Sequence, residues 1–170
     1  HRDYKGYGGL HYTNNSGRND LVTCKVAVGE QDAAFYAETR GPLSPHTDPN
    51  WMLLLIDADR NHATGWFGYD YIINRRVVDN KTTTICRYSP DTSGGSWVEV
   101  AKLNYRDADK QLELAVPRKL LGLKGDTCSF DFHWCDNPTE LKNPISLCTE
   151  GDSAPNRRFN YRCIWKKKGP

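Results

Sequence analysis

The feature that most constrains this chain is a two-residue rhythm that recurs from one end to the other. Val22, Cys24, Val26 and Val28 alternate with Thr23, Lys25 and Ala27, the period of a strand buried on one face. Leu112, Leu114 and Val116 alternate with Glu113 and Ala115, and Cys128, Phe130, Phe132 and Trp134 alternate with Ser129, Asp131 and His133. Further strands are predicted at 33–37, 68–74, 82–88 and 97–103, and a last short one carries Tyr161, Cys163 and Trp165. The run 51–57 (WMLLLID) lacks alternation and reads as a strand covered on both faces. Gly, Pro, Asn and Asp fill the gaps, as turns require. One short helix is expected at 117–122 (PRKLLG), with proline in its first turn and glycine at its end. Eight or more short strands and one helical turn predict an all-β fold, a two-sheet antiparallel sandwich. A length of 170 residues suits one domain spanning 1–170.

Charge and hydropathy exclude several partners. The net charge is +2, and the one basic run, Lys166-Lys167-Lys168, follows the last apolar residue as a solvated tail. No nucleic-acid partner is expected. No apolar run approaches the ~20 residues of a membrane span, so no membrane partner is expected either. The chain begins at His1 and holds one methionine, Met52. It reads as a piece excised or processed from a longer protein, and as a monomer. Six cysteines (24, 86, 128, 135, 148 and 163) form no CxxC pair, which argues against a zinc ribbon. Their even number fits disulfides in an oxidising compartment, with Cys135 and Cys148 around a polar loop as the first pair to consider. The apolar faces that hold Cys24, Cys128 and Cys163 fit buried thiols equally well.

Two constellations carry chemistry. In the first, Asp57, Asp59 and Asn61 stand at alternate positions where a buried strand ends. Three oxygens so spaced can turn toward one point, as calcium requires. Thr64, Asp70 or backbone carbonyls would complete the shell. The loop is no EF-hand, because its sixth position is His62 and its twelfth Gly68. The alternative is a polar loop whose Asx side chains bond its own backbone.

The second is aromatic. Trp66, Tyr69, Trp97 and Trp134 lie at or near strand ends, Trp66 beside Asp70 and Trp134 beside Asp136 and Asn137. Sugar rings stack apolar C–H faces on aromatic planes and need fixed polar partners for their hydroxyls. Trp66, flanked by glycines in a polar loop, is expected to face solvent, whereas Trp134 and Trp51 also fit core packing. Catalytic signatures are weak: there is no HExxH, GxSxG, P-loop or GxGxxG. Asp131 and His133 share a strand face and read as a solvated or hydrogen-bonded sheet face before an acid/base pair.

Taken in order, several segments resemble the carbohydrate-binding family 9-like domains of secreted bacterial proteins, which share a sandwich with sugar- and haem-binding DOMON domains. They are 12–20 (YTNNSGRND), 34–39 (AFYAET), 51–59, 64–75 (TGWFGYDYIINR), 116–122, 132–137 (FHWCDN) and 151–161. The resemblance implies a jelly-roll-like sandwich, secreted, periplasmic or at the cell surface, with calcium near the loops. It implies a polysaccharide or oligosaccharide held by aromatic side chains, beside a catalytic domain of the same chain that degrades the polysaccharide. Asp57, Asp59 and Asn61 would be metal-side residues, Trp66 and Tyr69 ligand-side residues. The chain departs from that family in its six cysteines and in lacking an identifiable pair of facing tryptophans. Two other roles fit such a fold: an accessory domain packing against the catalytic one, and a haem domain with Met52 and His133 or His62 as axial ligands.

Overall fold

The computed structural model describes residues 2–91 and 94–167, so His1 and Lys168 lie outside the described residues. In chain order the strands are β1 (Arg2–Lys5), β2 (His11–Asn14), β3 (Leu21–Val28), β4 (Asp32–Thr39), β5 (Leu53–Asp57), β6 (Tyr71–Val77), β7 (Thr82–Ser89), β8 (Ser96–Ala108), β9 (Gln111–Pro117) and β10 (Thr127–Asp136). A single α-helical turn, α1 (Ser146–Thr149), precedes β11 (Asp152–Ala154) and β12 (Tyr161–Lys166). The all-β, sandwich-like class holds, and every pairing between named strands is antiparallel.

The two layers are not separate sheets. Among the described residues ten strands run as one sheet in the order β11-β10-β5-β6-β7-β8-β9-β4-β3, with β12 also on β10. The long β8 makes the join: Ser96 to Asn104 pair with β7, and Tyr105 to Ala108 pair with β9. One layer is therefore β3, β4, β9 and the end of β8, and the other runs from β8 to β10. Phe35 of β4 meets Phe130 and Phe132 of β10 across the interior, at ring-centroid distances of 5.9 and 5.4 Å. Met52, Leu54, Ile56, Trp51 and Trp134 complete that inter-layer core.

The strand read as covered on both faces is so covered. Leu54 and Ile56 point into the inter-layer core, while Leu53 and Leu55 belong to a second apolar cluster on the outer face with Trp66, Ile72, Cys86, Cys135 and Leu147. This small outer core determines much of what surrounds the candidate site. In β3 the alternation slips once: a register shift between Leu21 and Thr23 leaves Val22 exposed.

The helix expected at 117–122 does not form. Leu120 N–H donates to Pro117 O and Gly122 N–H to Lys119 O, giving successive tight turns. Six residues are too few to repay helix nucleation. Tertiary bonds take the segment instead: the buried Arg118 guanidinium donates to the carbonyls of Gly29, Glu30 and Gly125 and lies over the Trp165 ring. The helical turn sits at Ser146–Thr149. All six cysteines are thiols. Cys135 and Cys148, the first pair expected to bridge, are both buried free thiols, and the Cys148 thiol donates to Ile145 O. At the carboxyl end, Lys167 reaches Glu30 at 2.8 Å, in keeping with a solvated basic tail.

Candidate functional site

The loop from β5 to β6 begins and ends on carboxylates. Asp57 closes β5 directly opposite Asp131 of β10. Its Oδ1 accepts the N–H groups of Arg60 (2.5 Å) and Asn61 (3.3 Å). Asp70 Oδ2 accepts Ala58 N–H at 2.9 Å, pinning the far end of the loop to its start. Asp59 Oδ1 accepts Asn61 N–H, and the Thr64 hydroxyl donates to both Asp59 oxygens at 3.1 and 3.0 Å. Side-chain oxygens of Asp57, Asp59 and Asp70 all lie within 4.8 Å of one another. Among the described residues none of the three has a salt-bridge partner. Burial first, with Asp70 and Asp59 adding to it, pushes the Asp57 carboxyl up to about 6, and burial raises Asp70 as well.

An all-oxygen set of three crowded carboxylates suits a hard divalent cation such as calcium. Of the five expected metal-side residues, three come together. Asn61 and Thr64 instead brace the loop: Asn61 Oδ1 accepts Ala63 N–H, and Thr64 bonds Asp59 and Asn61 O. The Asx turns of the polar-loop reading shape this segment, and three of its carboxylates converge.

Trp66 does not face solvent. Only 8 % of it is exposed, and it caps the outer apolar cluster over Leu53, Leu55 and Ile72. Its ring lies edge-on to Trp97 at 6.1 Å and tilted to Tyr69 at 6.5 Å. The reason is local. Trp66 and Tyr69 exchange backbone bonds across Phe67-Gly68, both at positive φ (53° and 98°), in the manner of a type I′ hairpin turn. That turn folds Trp66 under and puts Phe67 at the tip, 66 % exposed. Gly65 permits the approach, for a Cβ there would lie 2.3 Å from Tyr69 O.

Beneath Phe67 lies a recess of about 320 Å³, lined among others by Asp57, His62, Tyr69, His133, Arg158 and Asn160. The Tyr69 hydroxyl donates to Asn160 Oδ1 at 2.8 Å, and burial pushes its phenol well above the usual range. His133 is buried. Its Nδ1 lies 2.9 Å from Phe159 O, and a carbonyl only accepts, so that nitrogen carries the proton. The Nε2 lone pair has no protein partner. Burial lowers the imidazole to about 4, so the ring is neutral. Asp131 is held bidentately by Arg162 at 2.8 and 2.9 Å. The pair read as a sheet surface is therefore hydrogen-bonded to separate partners.

A second recess of about 600 Å³ adjoins the first and shares Arg157, Arg158 and one face of the same segment. Its walls are Tyr4, Tyr12, Leu10 and Phe159. Tyr4 and Tyr12 stack at 4.9 Å across the β1–β2 hairpin, and Phe159 is 67 % exposed. Gly6 lets the Tyr12 ring settle, because a Cβ would stand 2.3 Å from its Cε2. Sequence reading missed Phe67, Phe159, Tyr4 and Tyr12. The two phenylalanines share a visible signal, an apolar ring inside an otherwise polar turn.

The remaining expected ligand residues lie elsewhere. Trp134 is fully buried in the inter-layer core. Asp136, also fully buried, accepts from Arg18 Nε (2.8 Å), Asn19 Nδ2 (2.9 Å) and Met52 N–H (2.9 Å). Asn137 donates to Asn50 O through its backbone and to Ser16 Oγ through its side chain. These three sit at the start of β5 and Asp57 at its end, because Cys135 pairs with Leu53 and Asp131 with Asp57. Four residues of strand, roughly 13 Å, separate the two ends. Met52 belongs to the inter-layer core, whereas His133 pairs with Leu55 on the outer face. The two lie on opposite faces of one sheet and cannot flank a haem.

Comparisons of the chain with protein-family models, curated proteins and solved structures find no match.

Proposed function

We propose that this domain is a non-catalytic carbohydrate-binding module, serving to hold a polysaccharide-degrading enzyme on its substrate. The observation that carries the reading is the cleft formed by the two adjoining recesses. Exposed rings of Phe67 and Phe159 stand on its rim, with the bonded polar groups of Tyr69 and Asn160 between them. Flat apolar rings beside a few fixed hydrogen-bonding groups are what a pyranose needs. Phe67 adds a second support. A bulky residue at positive φ is strained, and such strain concentrates where a side chain must be presented. Calcium on Asp57, Asp59 and Asp70 would brace the same loop and so fix Phe67 without touching the sugar. An enzymatic role finds less support, since Asp131 is neutralised by Arg162 and His133 is tied to a backbone carbonyl.

An accessory role against a neighbouring domain draws on a different surface. On β12, Ile164 is among the most exposed apolar side chains and Tyr161 is also exposed.

The test is a glycan array followed by titration calorimetry with calcium present. Phe67→Ala and Phe159→Ala should each weaken oligosaccharide binding about tenfold, a stacking contact of roughly 1.5 kcal/mol. The melting temperature should stay within about 2 °C, because both rings already face water. Absence of binding to every glycan would leave the accessory role in its place.

A further inference from the structure

We infer that the cleft takes an acidic polysaccharide, one bearing carboxylate or sulfate groups, and that Arg157 and Arg158 select it; the inference rests on the carbohydrate reading. These two arginines line both recesses, so any chain lying along the cleft passes them. They differ from the four arginines that the fold uses as ion-pair partners. Arg18, Arg40, Arg76 and Arg162 are each paired with a carboxylate: Asp136, Asp20, Glu99 and Asp131 respectively. Neither Arg157 nor Arg158 has such a partner among the described residues, and both are exposed.

Their segment is also held in place. Arg157 adopts a left-handed backbone, φ 71°, a conformation unfavourable for a residue with a Cβ. Just beyond the pair, Phe159 O accepts from His133 and Asn160 Oδ1 accepts from Tyr69, which ties the ribbon to the sheet. Two guanidinium groups on an anchored ribbon lose less freedom on binding than two on a loose loop. A guanidinium fork matches carboxylate and sulfate oxygens, and Phe159 beside it offers the sugar ring a face.

The experiment uses the full chain and a matched set of probes. Polygalacturonate and alginate carry carboxylates, a sulfated galactan carries sulfate esters, and neutral galactan, xylan and cello-oligosaccharides carry neither. Binding of an acidic polymer at least tenfold tighter than a neutral one, weakening as salt rises, supports the inference. Comparing the carboxylate and sulfate arms then names the group. Arg157→Ala with Arg158→Ala should cost about tenfold for the acidic polymer and less than threefold for a neutral oligosaccharide. The doubly lysine-substituted chain should recover only part of the loss, because lysine keeps the charge without the fork. Thermal melting of both variants checks that the fold is intact. Neutral glycans binding as tightly as acidic ones, unaffected by the double substitution, would overturn the inference and leave the module reading standing. No binding to any glycan would overturn both. Tighter binding to single-stranded oligo(dT) than to any glycan would overturn it in favour of a nucleic-acid ligand.

Discussion

The two ends of β5 each carry a buried carboxylate, and they are built in opposite ways. At the start, Asp136 is surrounded by donors: Arg18, Asn19 and the Met52 N–H converge on its two oxygens. At the end, Asp57 meets other carboxylates, Asp59 and Asp70, and receives only backbone N–H groups. Burial raises both; Arg18, Asn19 and Met52 pull Asp136 back down, whereas at Asp57 the Arg60 and Asn61 N–H groups pull down against Asp70 and Asp59, which push up. A carboxylate whose two oxygens both meet donors holds a fold together. One crowded by other carboxylates would be relieved by a bound cation. The first end serves the architecture, and the second is the candidate site.

The comparison breaks most visibly if Asp136 proves dispensable. Asp136→Asn keeps the shape but removes the charge opposite Arg18 and turns one acceptor into a donor facing donors. Removing one partner of a buried ion pair costs about 3–5 kcal/mol. For a domain of this size that is a fall in melting temperature of about 6–20 °C. A fall under 2 °C would mean that the Arg18–Asn19–Met52 network is incidental.

Acid sharpens the other end. His133 is neutral when folded, with its pKa lowered from 6.5 to about 4. Below about pH 6.5 the unfolded chain takes a proton there that the native domain refuses until about pH 4. Stability from this group is therefore full above pH 6.5 and falls as pH drops through that window, by on the order of 3 kcal/mol in all. Asp57 acts in the opposite sense. Its folded pKa of about 6 exceeds the ordinary 3.8, so the native state binds the extra proton and gains as pH falls from 6 toward 4. In urea titrations across pH 4–7 without calcium the two contributions should nearly offset in the parent. His133→Gln removes the opposing one, so the variant should gain stability on acidification. A variant with the parent's pH dependence would place the sensitivity elsewhere.

These ends were unequally legible in the sequence. Alternation in β3, β9 and β10 made the strands readable, and the unbroken apolar run before Asp57 correctly foretold cover on both faces. What provided the outer cover was hidden. Trp66 was read as exposed because its neighbours are polar and glycine, yet Leu53, Leu55 and Ile72 needed a lid, and a primed turn supplied Trp66. β1, β2 and β11 escaped notice because they are three or four residues long, too short for a period to register. The continuity of the layers through β8 rests on a change of pairing partner between Asn104 and Tyr105, which leaves no mark on residue type. Convergence of Asp57, Asp59 and Asp70 was half visible: the first two share a spacing, while Asp70 returns only because β6 runs back beside β5. The aromatic cleft depends on bringing residues 4 and 12 beside 159, a tertiary fact that no local pattern reports.

The smallest effect is the most informative about Asp57. If the crowded carboxylates are a cation site, calcium at ten times its Kd should stabilise the domain by about 1.4 kcal/mol, raising the melting temperature by some 3–5 °C. Protonation competes with the ion, so that gain should vanish as pH falls through 6, where Asp57 takes up its proton. Asp57→Asn separates the ion from the architecture. Its amide oxygen can still accept from Arg60 and Asn61, but the like-charge crowding is gone, so in chelator the variant should be as stable as the parent or up to about 1 kcal/mol more so. It should no longer respond to calcium. The same neutralising change thus costs several kcal/mol at Asp136 and nothing at Asp57. Destabilisation of both variants alike in chelator would show that the three carboxylates at the end of β5 are as structural as the one at its start.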